Sequence, residues 1–331
     1  MNTKRLTAFL LVLLLMAAPL TACSPKSNLT TVKVNEVTHS VFYAPFYAAI
    51  NLGFFEEEGL SLELTNGGGS DKSMTALVSG DADIGLMGPE TAVYVYNEGK
   101  ADYPMIIGQL TRRDGSFLLS REDEKDFDWS NLAGTEIIAG RTGGMPEMTL
   151  EYVLKQKGYD LEKDLTLNTG IQFNAMGGAF AGGTGDYVTL FEPTASQFVN
   201  QSQGYIVAAV GDEGGDVPYT CFMATQDTLK NRSDLVESFM RAVYKGQQYV
   251  DTHTDAEVAA ALLPSFTDSD EALLTQVVAR YREIGAWNTD PILSKEMFDR
   301  MITIIDAAGQ LKDSVSYDAL VEMSVAEKVM K

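Results

Sequence analysis

The sequence predicts an α/β protein built as two lobes with a ligand cleft between them, and three observations carry that prediction. From residue 31 onward, short β-branched runs alternate with longer helical patterns, the rhythm of βαβ units around a largely parallel sheet. Two short extended segments, Ser116–Ser120 and Val217–Thr220, bracket a block of the same rhythm and read as crossings between lobes. After about Ser233 the strands stop and helical patterns follow one another. One lobe is therefore expected to be discontinuous, residues 31–117 plus 218–331, and the other an insertion, residues 118–217. Two strands joining two lobes make a hinge, and the gap between lobes is where a ligand is expected.

The first element precedes the folded part. Lys4 and Arg5 are followed by an apolar run from Leu6 to Leu20, too short to span a bilayer comfortably and flanked like a secretory signal. The run ends in Leu20-Thr21-Ala22-Cys23 and a polar Ser24-Pro25-Lys26-Ser27-Asn28, which resembles the lipobox of bacterial lipoproteins. That resemblance implies a signal peptide over 1–22, a lipid on Cys23, a tether over 23–30, and an extracytoplasmic protein anchored to the membrane.

Thr31–Val37 alternates as a strand should, and Ala44–Leu52 reads as a helix stopped by Gly53. Leu60–Leu64 is a second strand running into Asn66-Gly67-Gly68-Gly69-Ser70; a helix over Asp71–Ser79 and a strand over Ala82–Leu86 follow. In the inserted block, Glu136–Ala139, Leu165–Leu167 and Tyr187–Leu190 read as strands and Pro146–Lys157 as a helix. Beyond Ser233, Leu235, Phe239, Val243 and Val250 share one helical face, and Glu257–Leu263, Leu273–Ile284 and Lys295–Ala308 are helical, a bundle closing back over the first lobe.

Composition narrows the function classes. A hydrophobic fraction of 45% allows a full core, and the net charge of −21 argues against nucleic acid and anionic headgroups as partners. Beyond Cys23 there is one thiol, Cys221, in the apolar run Tyr219–Ala224; an internal disulfide is excluded there and a buried, inert thiol expected. The two histidines, His39 and His253, are far apart, and no HExxH pair, GxSxG elbow or Cys–His ligand set is present. No catalytic residue, metal or cofactor is expected.

Four strand-to-helix turns share a composition suited to binding: Asn66–Asp71, Met87–Thr91, Gly140–Pro146 and Phe191–Thr194. Glycine lets backbone approach a ligand, the first N–H groups of a helix lack intrahelical partners, and such turns lie at the carboxyl ends of parallel strands. They nominate Gly69, Ser70, Gly88, Glu90, Thr142, Gly143, Gly144, Phe191 and Glu192. The loop after the first strand packs four aromatics beside a histidine, nominating Phe42 and Tyr43 as faces for a planar ligand and His39 as a hydrogen-bonding edge. Phe46 and Tyr47 are expected in the core. Glu90 and Glu192, each beside a proline, could accept from a ligand N–H or simply cap a helix start.

The block Phe46–Leu60, with Leu77–Gly85, Gly185–Pro193 and Asp234–Gly246, resembles the nitrate/sulfonate/taurine and thiamine-pyrimidine-precursor binding proteins of ABC importers. The resemblance covers nearly all of the chain beyond the tether. It implies a type II periplasmic-binding-protein fold, a small ligand clamped between lobes, an ABC permease and ATPase as partners, and a monomer. Arg141 is the one cation within the four turns, with Lys72 just after one. The aromatic loop and the two glutamates favour a planar nitrogen heterocycle, such as a thiamine pyrimidine precursor, over a sulfonate, taurine or nitrate. A pyrimidine-synthase-like enzyme, which the same family includes, is the reading from another class.

Overall fold

The computed structural model describes residues 29–331; the expected signal peptide (1–22), the lipid-bearing Cys23 and nearly all of the 23–30 tether lie outside the described residues. Ten strands form two five-stranded sheets. They are β1 (Thr30–Glu36), β2 (Leu60–Asn66), β3 (Ile84–Met87), β4 (Pro104–Thr111), β5 (Ser116–Ser120), β6 (Glu136–Ile138), β7 (Thr166–Asn168), β8 (Tyr187–Phe191), β9 (Tyr205–Ala209) and β10 (Thr220–Thr225). The first sheet runs β2-β1-β3-β10-β4 and the second β7-β6-β8-β5-β9. In each, three strands are parallel and joined by helical crossovers, as the alternation of β-branched and helical runs requires.

Each sheet is largely parallel but mixed, with one strand running against the other four. β10 is antiparallel to β3 and β4, and β5 is antiparallel to β8 and β9. Both are the strands that enter a sheet straight from the other lobe, so they run against their neighbours. Each sits fourth in its sheet, which makes the two lobes topological counterparts.

The outgoing crossing also lies earlier than the sequence suggested. Ser116–Ser120 is a fully buried strand of the second sheet, and the chain changes lobe over Arg112–Gly115; it returns over Gly215–Tyr219. The two passages are bonded together: the Val217 N–H donates to Arg112 O at 2.8 Å and the Tyr219 N–H to Thr111 O at 3.2 Å. Arg112 and Arg113 both grip Asp216, the latter through Nε at 2.7 Å.

Helices cover the sheets where the apolar periodicity placed them. The helix Ala44–Asn51 buries Phe46 against Phe55, Phe222 and Phe239, and the helix Ser233–Thr252 turns Leu235, Phe239, Val243 and Val250 to the same core. A capping box between Thr254 and Glu257 starts the helix Asp255–Leu262. Cys221 is buried in β10, where desolvation holds its thiol well above the usual range. A second core under the inserted lobe gathers Leu118, Trp129, Ile137, Leu150 and Leu154. No helix of the described residues is long and apolar enough to cross a membrane.

The closest helix contact runs through a glycine. A Cβ at Gly246 would lie 2.1 Å from Pro45 O and 2.9 Å from Ala49 Cβ, so Gly246→Ala must push the two helices apart. Overpacking of this kind costs about 1–3 kcal/mol, and thermal denaturation of Gly246→Ala should show a melting temperature several degrees lower. An unchanged melting temperature would mean the contact is slack.

Candidate ligand cleft

Because three strands in each sheet run parallel, their carboxyl ends share one edge, and the two edges face each other across the gap between lobes. Lobe 1 contributes the loops after β1, β2 and β3, and lobe 2 those after β6, β7 and β8. Two cavities lie in that gap. The larger, about 220 Å³, is lined by Thr38 and Ser40 from lobe 1 and by Phe173, Asn174, Thr189 and Phe191 from lobe 2. The smaller, about 50 Å³, lies between Gly68, Gly69 and Ser70 on one side and Gly140, Arg141 and Gly144 on the other. Phe173 lines both and separates them.

The lobes touch across the cleft at several points. Ser40 Oγ donates to Glu192 O at 2.6 Å, and Tyr94 Oη donates to Gly143 O at 2.9 Å. Gly143 stands at φ +73°, a left-handed conformation that a side chain would strain, and its N–H donates to Glu147 Oε2 at 3.0 Å. Arg280 pairs with the carboxylate of Glu192 and donates to Ser196 Oγ at 2.8 Å, while Lys155 Nζ donates to Ala307 O at 2.8 Å. The bonds of Ser40, Tyr94, Arg280 and Lys155 join groups from opposite lobes, so the structure is that of a closed cleft.

Glu90 is the unusual group. Its turn follows β3, its side chain is 0% exposed, and neither carboxylate oxygen has a hydrogen-bond partner. The side chain folds back over Gly88, where a Cβ would sit 2.1 Å from Oε2. From lobe 2, Arg141 Nη2 stands 3.9 Å from Glu90 Oε1 while Arg141 Nε is 3.4 Å from Asp71 Oδ1. The Met145 N–H, first of the helix Met145–Gln156, also faces this carboxylate without reaching hydrogen-bond geometry. Desolvation pushes Glu90 up to about 7, against the opposing pull of Arg141.

Of the residues nominated from the sequence, Gly69, Ser70 and Gly144 line the smaller cavity and His39, Phe191 and Glu192 the larger. Gly88 lies behind them, its N–H donating to Ser70 Oγ at 3.3 Å, and Thr142 is exposed, bonded to Thr169 at 3.0 Å. Phe42 and Tyr43 are corrected, while His39 and Glu192 border the larger cavity with their polar atoms engaged elsewhere. His39 has its ring turned into lobe 1: Nε2 donates to Ser265 O at 2.7 Å, Nδ1 lies 2.7 Å from Tyr47 Oη, and the ring stacks on Phe266. Phe42 and Tyr43 occupy a 3-10 turn, are buried, and line neither cavity. Phe42 packs instead on Phe191, Tyr219 and Tyr281, and a Cβ on Gly115 would strike its ring at 2.3 Å, so it is a wedge beside the crossing. Glu192 also borders the larger cavity, but its carboxylate is already taken by Arg280, Ser196 N at 2.9 Å and Ser196 Oγ at 2.9 Å.

The aromatic wall comes from the other lobe. Phe173, 5.6 Å from Phe191, sits in the turn after β7, and Asn174 reaches toward Gly68 of lobe 1. The carboxyl-end rule that nominated four turns would have found this one too, had it been applied to the strand read at Leu165–Leu167.

Comparison with known proteins places this architecture. A family model described as NMT1/THI5 like matches residues 41–257. The Bacillus subtilis (strain 168) protein YtlA, whose name carries the words binding protein, is 44% identical over 310 residues, 94% of this chain and 93% of that protein. Among solved structures, the alkanesulfonate-binding protein SsuA from Xanthomonas axonopodis pv. citri superposes with a TM-score of 0.71 at 16% identity, covering 89% of this chain and 98% of that one. The periplasmic nitrate-binding protein NrtA from Synechocystis PCC 6803 gives 0.71 at 16% identity, with 91% and 88% covered. The fold is thus the two-lobed one of periplasmic binding proteins.

Buried carboxyls give the closed form a definite pH dependence. Desolvation pushes Asp114, buried in the outgoing crossing, up to about 7, as it does Glu90. An unfolded chain releases these protons near the ordinary carboxyl range, so between there and about pH 7 the folded state binds more protons than the unfolded one. Stability therefore falls as pH rises through that window. Melting temperatures measured from pH 5 to 8 should decline, and Asp114→Asn, which can still accept from the Ser116 N–H, should flatten the slope. A profile rising across that range would contradict the assignment.

Proposed function

The chain belongs to the NMT1/THI5-like family, and on that premise we propose that it is an extracytoplasmic solute-binding protein. In this reading it is a lipid-anchored monomer that captures a small molecule between its lobes and presents it to an ABC permease and its ATPase. The ligand class we favour is a planar nitrogen heterocycle, such as a thiamine pyrimidine precursor. One observation carries that choice: the chamber of about 220 Å³ has aromatic faces, Phe173 and Phe191, and a side of Gly177 and Gly178. A flat ring can lie against such walls while Thr38, Ser40, Asn174 and Thr189 offer polar atoms at its edge.

Charge supports the same ligand class. Asp71 and Glu90 face the single guanidinium of Arg141, so the small cavity beside them offers a ligand more negative than positive charge. The second reading, an aliphatic sulfonate, taurine or nitrate, draws on the helix start at Met145 next to Arg141. Closure follows from contact with both lobes at once: a ligand that touches Thr38 and Ser40 on one side and Phe173 and Thr189 on the other binds the closed form better than the open one.

A thermal-shift panel on the protein, refolded to strip bound solute, tests the reading. It sets pyrimidine precursors, thiamine and riboflavin against taurine, alkanesulfonates, nitrate and bicarbonate. A ligand at a hundred times its dissociation constant adds about 2.7 kcal/mol to stability. Pyrimidines should raise the melting temperature by several degrees, and Phe173→Ala should weaken that binding about threefold to tenfold, the worth of one aromatic contact. A shift with sulfonates or nitrate alone would overturn the ligand class. Turnover of a compound on the panel would replace the binder with an enzyme.

A further inference from the structure

Four features converge on one buried point in the cleft: the guanidinium of Arg141, the unpartnered N–H end of the twelve-residue helix Met145–Gln156, the side-chain-free backbone at Gly88, and the carboxylate of Glu90. A guanidinium beside helix N–H groups is an arrangement that ordinarily takes an anion. Here the negative charge is supplied from within the chain, by a carboxylate carried on the opposite lobe.

We propose that Glu90 is a tethered counter-anion: it occupies an anion subsite made by Arg141 and the Met145 helix start, and thereby excludes anionic solutes from the cleft. The proposal deepens the reading of the cleft as a solute site and names Glu90 as the residue that sets the charge class of the ligand. A second negative group brought to this point would meet Glu90 and Asp71 with one guanidinium between them, and like charges repel, most strongly at the fully buried Glu90. A neutral or cationic group with an N–H meets the opposite situation, two carboxylate oxygens with no donor.

The neighbours of Glu90 leave its own proton in control of the site at moderate pH. Tyr43, Tyr94 and Tyr219, within its field, are all held above their usual range by burial and stay neutral. Glu147, two residues into the helix, is likewise raised by burial and holds the Gly143 N–H.

The test compares binding of methanesulfonate and nitrate, by calorimetry, to the wild-type protein, to Glu90→Gln and to Glu90→Gln/Arg141→Ala, at pH 5.5 and pH 8. Glu90→Gln should bind these anions about tenfold or more tightly than wild type at pH 8, since a buried like charge is removed. The affinity of Glu90→Gln should be the same at both pH values, its advantage over wild type should shrink at pH 5.5 where Glu90 takes up a proton, and the gain should vanish when Arg141 is removed. Glu90→Ala serves as a second variant should the glutamine fail to fold, with the same expectation. A folded variant that gains no anion affinity overturns the proposal, as does a gain that survives loss of Arg141. The pyrimidine panel on wild type is read separately: pyrimidine binding by wild type with no anion gain in Glu90→Gln overturns the role of Glu90 alone. An anion gain beside a wild type that ignores pyrimidines supports Glu90 and overturns the ligand class.

Discussion

The paired crossings at Arg112–Gly115 and Gly215–Tyr219 are the constraint on which the rest of the molecule depends. Backbone hydrogen bonds from Val217 and Tyr219 to the outgoing strand, and the double grip of Arg112 and Arg113 on Asp216, bind the two passages into one connector. Each passage feeds a strand directly into the fourth place of a sheet, against its neighbours. With those strands fixed, the parallel strands of both lobes must present their carboxyl ends to the same gap. The cleft, its glycine turns and its helix starts are consequences of that single connection.

The same connection concentrates polar groups without partners. Some helix starts are capped by a local side chain, as at Thr254 and Ser294. Beside the crossings, by contrast, Thr111 Oγ1, Asp114 Oδ2, Ser116 Oγ and Tyr219 Oη are buried and unpartnered, and in the cleft both oxygens of Glu90 are. Each such group costs about 1–3 kcal/mol. A fold tolerates that cost where parts must move or where something must bind. The raised carboxyls at Glu90 and Asp114 express the same desolvation as a proton affinity.

Aromatic residues divide between the two tasks. The Phe46, Phe55, Phe222 and Phe239 cluster holds lobe 1 together, and Phe42 wedges against Phe191, Tyr219 and Tyr281 where the lobes meet. Phe191 therefore has one face in the hinge packing and a place in the ligand chamber. Through it, ring contacts couple the occupant of the cleft to the packing beside the crossing.

Local order was legible because it rests on local chemistry. The strand alternation at Thr31–Val37, the glycine stop after Leu52, and the one-sided Leu235, Phe239, Val243 and Val250 stripe each report a period or a terminus that neighbouring residues set among themselves. They gave the α/β class, the two lobes and most element bounds to within one or two residues. Gly69, Ser70 and Gly144 line the smaller cavity for the same reason: glycine-rich turns at strand ends are local signals. Side-chain direction was not legible, because it depends on partners far along the chain. His39 turns to Ser265, Glu192 to Arg280, and Phe42 to Tyr281, each more than eighty residues away. The sequence by itself determined where the strands and helices read from it begin and end. Only the tertiary structure decided which of those turns meet, that Phe173 rather than Phe42 faces the chamber, and that Glu90 lies buried against Arg141, because burial and charge pairing are properties of the assembled lobes.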